Sequence, residues 1–337
     1  MKTFSFHRPR RLEEALVLIE KYEGETTAIL SGGTDLLVMM KHESLAPRHL
    51  VNIKEIPGLR EIRREGGGFA IGSAATLSEV AEHQEIRKGY PALVQAIGKI
   101  ASPQIRNRAT IGGNVCLDTK CLFLNRTIDA RRSRPDCLKE GGRICNIVLG
   151  AKRCFSVFSA DSVPALIVLN AKVRIFGSSG TRLVPVEDIY SGDGVKPLKL
   201  AKEIVTEILL PPPAPFSLYL KERWRQSLDF PIVGLAMATL PDSTGRKCED
   251  VKMALTGVTG FPPRLEKAES VFKGKAIEAL QDKEELSGSI KEALRAAHPI
   301  SPMGGLGNYR RVQVGVLLEQ AASQLFRQIE AGRKKGA

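Results

Sequence analysis

The sequence predicts an α+β protein: a two-part N-terminal domain broken by an irregular insertion, then a C-terminal α+β domain. Three observations predict it. At 337 residues the chain exceeds what one core usually organises, which points to two or three domains. Strand-like and helix-like apolar patterns both recur along it, without an internal repeat. Residues 211–215 read Pro-Pro-Pro-Ala-Pro, which cannot continue a helix or a central strand and so mark the best linker. With 43% apolar and 26% charged residues, the composition excludes disordered, collagen-like and low-complexity chains.

Taken in order, residues 12–22 carry apolar side chains at helical spacing. Residues 26–30 read as a short buried strand, broken at Ser31-Gly32-Gly33-Thr34-Asp35. A helix start at 36–41 and a second strand at 50–53 complete a strand–turn–helix–strand unit over 1–56. The second part, 57–215, opens with a hairpin predicted from the alternation of 59–75 around Gly66-Gly67-Gly68. Residues 77–83 and 92–101 read as helices, the first capped by Thr76 or Ser78. Regular structure resumes at 165–169, 172–176 and 203–210. Beyond the linker, 216–337 forms the C-terminal domain, with strands at 234–240 and 250–256 and helices at 274–297 and 309–332 on one face of that sheet.

Residues 117–158 differ from their surroundings. Apolar periodicity is poor, and nine Lys or Arg oppose four acids, part of a formal charge of +13 over the whole chain. Five of the six cysteines (Cys116, Cys121, Cys137, Cys145 and Cys154) fall within 39 residues, and Cys248 stands apart. The N-terminus lacks the apolar stretch of a secretory leader, and no apolar run is long enough to span a bilayer, so the chain reads as cytoplasmic, with no membrane role. In a reducing compartment such a cluster points to a metal site rather than to disulfides. The spacing within the insertion, C-x15-C-x7-C-x8-C, is neither a zinc ribbon nor the compact bacterial ferredoxin run, so zinc and iron–sulfur both stay open. With three aromatics in the insertion (Phe123, Phe155, Phe158) and no recognisable binding module, no nucleic-acid partner is expected. The five histidines (His7, His42, His49, His83, His298) are scattered and read as structural or surface residues. No hydrolase-type nucleophile or paired-carboxylate arrangement is present, so substrate chemistry is expected elsewhere and no catalytic residue is assigned.

Two glycine-rich turns remain. Ile29-Leu30-Ser31-Gly32-Gly33-Thr34-Asp35-Leu36 follows a strand and opens a helix, where bare backbone N–H groups can approach a phosphate. Thr110-Ile111-Gly112-Gly113-Asn114 offers bare backbone with Thr and Asn hydrogen-bonding groups. Each alone is equally an ordinary turn or bulge, and neither is a Rossmann fingerprint or a P-loop.

As an ordered set, Ser31-Gly32-Gly33-Thr34-Asp35, Gln104-Ile105-Arg106-Asn107, Thr110-Ile111-Gly112-Gly113-Asn114 and Asp161-Ser162-Val163-Pro164-Ala165 resemble the FAD-binding medium subunits of the molybdenum hydroxylase family, the xanthine dehydrogenase and carbon monoxide dehydrogenase type. The resemblance covers essentially the whole chain. It implies the two-part FAD-binding fold of the vanillyl-alcohol-oxidase/molybdenum-hydroxylase type. It implies that residues 29–36 wrap the FAD pyrophosphate and residues 110–114 hold the cofactor's other side. By the same resemblance Ile100 lies close to the flavin, Asp161 contacts FAD, and Lys221, ahead of Asp229, reaches it from the C-terminal domain. It further implies a large molybdenum-cofactor subunit and a small 2Fe–2S subunit as partners, in a dimer of heterotrimers.

Within the family, the insertion resembles the 4-hydroxybenzoyl-CoA reductase branch, which carries an additional 4Fe–4S cluster. The implied ligands are Cys121, Cys137, Cys145 and Cys154, with Cys116 a small residue packed near FAD and Cys248 a core or surface thiol. That branch implies reduced ferredoxin as electron donor and reductive removal of a phenolic hydroxyl. An oxidative molybdenum hydroxylase is the alternative, and a zinc-stabilised binding protein is the rival from another class.

Overall fold

The computed structural model describes residues 1–22, 27–148, 150–200, 202–297 and 307–336. Its first sheet is parallel and three-stranded. β1 (Ser5–His7), α1 (Leu12–Lys21), β2 (Thr27–Leu30), α2 (Leu36–Lys41) and β3 (His49–Asn52) alternate along the chain, and the strands lie in the order β1-β3-β2. Helix α1 turns Ala15, Leu16 and Ile19 inward, with Glu13 and Glu14 in its first turn and Lys21 in its last, as the helix dipole favours.

A second sheet, antiparallel throughout, orders its strands β4-β5-β8-β6-β7. β4 (Ile62–Glu65) and β5 (Gly68–Gly72) meet at Gly66 and Gly67, whose φ angles of 59° and 79° supply the left-handed pair that a two-residue hairpin needs. Seven short helices follow: α3 (Leu77–Glu82), α4 (Gln84–Gly89), α5 (Pro91–Gly98), α6 (Pro103–Arg106), α7 (Ile111–Val115), α8 (Ile128–Arg131) and α9 (Ser162–Val168). Then come β6 (Lys172–Gly177), β7 (Gly180–Pro185) and β8 (Ile204–Leu210). Thr76 caps α3 through a capping box: its hydroxyl accepts from Glu79 N at 3.2 Å, and Glu79 Oε2 accepts from Thr76 N at 2.8 Å. Every residue of α9 is buried, and after Ser162 the helix is apolar and packs inside the main core.

The third sheet, β9 (Ser217–Glu222), β10 (Val233–Pro241) and β11 (Cys248–Thr256), is antiparallel with β10 in the middle. Helices α10 (Glu266–Ser270), α11 (Lys283–Ala296) and α12 (Gly307–Gly336) follow it. Strand β10 is buried on both faces. Leu235 and Met237 join the core formed with the C-terminal helices, while the alternating Ala236 and Ala238 belong to the main core. The C-terminal sheet is therefore sandwiched, and the two cores share it.

The proline segment is docked along its length. Tyr90 OH donates to Pro211 O at 2.5 Å, Ala214 N donates to Gly89 O at 3.0 Å, and a Cβ on Gly89 would lie 3.0 Å from Pro213 Cβ. Strands β1, β7 and β9 and helices α6 and α10 were not expected from the sequence. Residues 274–297 hold a 3-10 turn, Ile277–Gln281, before α11 rather than one continuous helix. Thr26 and His298 lie outside the described residues. Among the described residues, no helix is long and apolar enough to cross a membrane.

Residues 117–158 carry little regular structure beyond α8 and the 3-10 turn Leu138–Glu140. Their own core is small: Phe123, Leu124 and Cys137, with Cys121 and Ile147 packed against it. Buried ion pairs supplement it. Arg131 Nε meets Glu140 at 2.8 Å and Lys139 Nζ meets Asp118 at 2.6 Å, each cation only 6% exposed.

Candidate functional site

The two glycine turns are adjacent in space. Thr110 Oγ1 donates to Ser31 Oγ at 3.0 Å, and Gly32 lies against the strand-like approach to the second turn. A Cβ on Gly32 would come within 2.4 Å of Arg108 O and 2.8 Å of Ala109 Cα. Gly33 adopts φ 74°, a conformation that glycine alone takes cheaply. Gly32→Ala is expected to destabilise the chain by about 1–3 kcal/mol through overpacking, seen as a lower thermal midpoint; an unchanged midpoint would mean the turns separate freely.

The first turn presents free donors. Among the described residues, no protein acceptor receives the N–H groups of Gly32, Gly33, Thr34, Asp35 or Leu36. Ile29, at the head of this segment, is 37% exposed, and beyond the turn Leu37 and Val38 leave apolar surface uncovered, while Leu30 is buried. Such a run of unmade donors is costly unless water or an anionic ligand satisfies it.

The second turn is built differently. Residues 111–115 form α7, N-capped by Thr110, despite two glycines. Its N–H groups are already used: Ile111 donates to Ala75 O, Gly112 to Ser73 O, Gly113 to Thr110 Oγ1 and Asn114 to Thr110 O. The bare backbone expected here is thus consumed internally. Gly112 is required by contact, since a Cβ would lie 2.6 Å from Ser73 Cβ. Asn114 Oδ1 accepts from Ser162 Oγ at 2.6 Å, tying the second turn to α9.

Asp161 and Lys221 meet directly. Lys221 Nζ lies 2.9 Å from Asp161 Oδ2, and Tyr219 OH donates to Asp161 Oδ1 at 2.5 Å. Lys221 Nζ also donates to Lys99 O at 3.0 Å and Asp229 O at 2.9 Å, and its side chain is 0% exposed. Burial lowers the lysine's pKa and raises that of the aspartate, in each case against the pull of the partner charge. Lys221, expected to reach the cofactor, therefore has all three ammonium hydrogens engaged by protein and acts as a pin. It fastens the C-terminal sheet to Lys99, whose neighbour Ile100 is 8% exposed. Ala101 follows in left-handed backbone, φ 46°. Tyr219 was missed, although a signal existed: it lies two residues before Lys221 on β9, on the same face of the strand.

The six cysteines are all free thiols. Cys121, Cys137, Cys145 and Cys154 line one small cavity together with Phe123 and Leu124. Each sulfur already has a hydrogen-bond partner. Cys121 Sγ accepts from Phe123 N at 3.3 Å and Leu124 N at 3.4 Å, Cys145 Sγ from Val148 N at 3.5 Å, and Cys137 Sγ from the backbone of Glu140. Cys154 Sγ lies 3.2 Å from Ser156 Oγ. Burial pushes the Cys137 thiol up to about 11 and raises that of Cys121. Among the described residues, no three His, Cys, Asp or Glu side chains converge as ligands of a single ion. Cys116 lies against the main core, where burial pushes its thiol up to about 12, and Cys248 is buried in the C-terminal core. His7 and His49 pair with each other at 3.1 Å, while His83 caps α4 and His42 follows α2.

Comparison with known proteins is consistent across the chain. The family described as the FAD binding domain in molybdopterin dehydrogenase matches residues 2–213, and the CO dehydrogenase flavoprotein C-terminal domain matches residues 219–325. The aldehyde oxidoreductase FAD-binding subunit of Escherichia coli (strain K12) is 31% identical over 282 residues, 80% of this chain and 86% of its own. The carbon monoxide dehydrogenase medium chain of Hydrogenophaga pseudoflava is 27% identical over 320 residues, 94% of this chain and 95% of its own. Among solved structures, Cu,Mo-CO dehydrogenase in its cyanide-inactivated form aligns with TM-score 0.77 and 25% identity, covering 97% of this chain and 98% of that one.

Proposed function

The chain belongs to the family of FAD-binding subunits of molybdenum hydroxylases, and from that premise we propose that it is the electron-transfer subunit of such an enzyme, holding a 4Fe–4S cluster beside its FAD. When bound, FAD exchanges electrons singly or in pairs, and a 4Fe–4S cluster exchanges them one at a time. In this reading the FAD-binding domain spans 1–215, in parts 1–56 and 57–215 with 117–158 inserted, and the C-terminal domain spans 216–337. The free N–H groups of residues 32–36 receive the pyrophosphate, Thr110 and Asn114 close the other side, and Ile100 lies beside the flavin. Asp161 and Lys221 hold the floor behind it.

One observation carries the cluster: Cys121, Cys137, Cys145 and Cys154 line a single cavity, with their sulfurs already accepting or sharing hydrogen bonds. Hydrogen bonds to thiolate sulfurs tune cluster potentials. Four sulfurs on one zinc ion lie about 3.8 Å apart, as bond lengths of about 2.3 Å in a tetrahedron require. Four cysteines around one cavity also match a cube whose four irons take one thiolate each, and that is the reading taken here. Anaerobic purification with iron, zinc and flavin analysis tests the reading; zinc without iron would overturn it.

The partners in this reading are a molybdenum-cofactor subunit and a 2Fe–2S subunit, in a dimer of heterotrimers. Two directions of electron flow are distinguished. In the reductive one, of 4-hydroxybenzoyl-CoA reductase type, electrons arrive from reduced ferredoxin at the insertion and serve dehydroxylation to benzoyl-CoA on the molybdenum subunit. In the oxidative one, favoured equally by relatives named aldehyde oxidoreductase and carbon monoxide dehydrogenase, electrons leave the chain for an external acceptor. A cluster potential well above those of low-potential ferredoxins excludes the first.

The insertion's surface supports an acidic electron carrier. Arg126, Arg132, Arg134, Arg143, Lys152 and Arg153 are exposed, against the exposed acids Asp129 and Asp136. Stopped-flow reduction by ferredoxin is expected to slow steeply with ionic strength, and the double variant Arg132→Glu/Arg134→Glu to slow it about tenfold at low salt. A salt-independent rate would remove ferredoxin docking at this surface.

A further inference from the structure

The insertion grips α2 at both ends. At its start, the Lys120 ammonium pairs with the carboxylate of Asp35, with the lysine side chain 12% exposed. At its end, Arg131 supplies a guanidinium cap: one terminal nitrogen donates to His42 O at 3.2 Å, and the other to Glu43 O at 2.9 Å. Glu43 is held in left-handed backbone there, φ 53°. The same guanidinium donates to Arg126 O at 2.8 Å and through Nε to Glu140 Oε1 at 2.8 Å. Glu140 in turn accepts from Cys137 N at 3.3 Å through its other oxygen. Lys120 precedes Cys121 in the chain. The start of the helix that carries the first glycine turn is therefore joined through Lys120 to the adjacent Cys121, and its end through Arg131 and Glu140 to Cys137.

We propose that Arg131 and Lys120 are positioning residues that couple loading of the four-thiol site to retention of FAD, so that a loaded cluster tightens flavin binding and bound flavin slows cluster loss. This rests on the reading that the four cysteines take a cluster and that residues 29–36 take FAD. The sign follows from the insertion's composition. Its own apolar core is limited to Phe123, Leu124 and Cys137 with two packed neighbours, too little to order some forty residues. Four metal–thiolate bonds supply the missing constraint. Without them the insertion frays, Arg131 and Lys120 leave the ends of α2, and the donors of residues 32–36 lose their fixed geometry. Because binding linkage is reciprocal, the two ligands strengthen each other by the same factor.

The test compares anaerobically purified full-length protein with iron loaded and after chelator stripping, titrating FAD by flavin fluorescence in each state. Wild type is expected to bind FAD about tenfold tighter when loaded. In Arg131→Ala the two states should bind FAD with equal affinity, close to that of stripped wild type. Lys120→Met, at the other end of the helix, should lose the same dependence on loading, and it serves if Arg131→Ala fails to fold. A merely structural role would weaken FAD binding equally in both states and leave the dependence intact. Iron is measured separately: wild type that takes up no iron overturns the cluster reading, whereas iron-loaded wild type with unchanged FAD affinity overturns the coupling alone.

Discussion

Lys221→Met is expected to destabilise the chain by about 3–5 kcal/mol, the usual cost of leaving one member of a buried ion pair without its partner. The lysine side chain is fully buried and Asp161 is 4% exposed. Removing the ammonium leaves the carboxylate with only the Tyr219 hydroxyl, and deprives the carbonyls of Lys99 and Asp229 of their Lys221 donor. Denaturant unfolding measures the effect. The double variant Asp161→Asn/Lys221→Met should recover part of the loss, since a neutral amide tolerates that setting better than an unpaired charge. A single-variant loss below about 1 kcal/mol would match an exposed pair and contradict this geometry.

On the proposed cluster ligation, Cys137→Ser is expected to reduce iron from about four atoms per chain to less than one, with loss of the broad visible absorption such a cluster gives. The serine oxygen is a harder and poorer ligand than thiolate for iron–sulfur chemistry. At saturating FAD the flavin bands should persist, because Cys137 lies in the insertion and not on either glycine turn. Cys116→Ser and Cys248→Ser supply the contrast. Cys116 packs against the main core and Cys248 lies in the C-terminal core, neither of them on the four-thiol cavity, so both variants should keep their iron. Retention of four irons in the Cys137 variant would remove it from the ligand set.

What the sequence disclosed was local. Glycine pairs, a cysteine-rich basic stretch and a proline run each act through backbone freedom or side-chain chemistry, so residues 31–35, 66–68, 117–158 and 211–215 could be recognised without a fold. What it hid depends on packing. The segment 163–168 is apolar throughout and has no period to distinguish strand from helix until the core surrounds it. Strand β9 is short and follows four prolines, and it exists because β10 pairs with it. Residues 111–115 are helical because the Thr110 cap and contacts with Ser73 and Ala75 outweigh two glycines. Arg131 is one cation among nine in the sequence, and nothing there marks it, or Lys139, as having a buried side chain.

The proline segment, which separates the lobes in the chain, joins them in space. With Pro211 and Ala214 hydrogen-bonded to Tyr90 and Gly89, and with β10 enclosed by two cores, the chain has no hinge between its FAD-binding and C-terminal parts. The electron relay proposed for this chain would therefore have fixed spans. Its throughput is then expected to depend on driving force and on how long each partner stays docked, and not on a swinging domain. Solvent viscosity should accordingly leave electron passage within the subunit unchanged, while slowing the arrival of any mobile carrier.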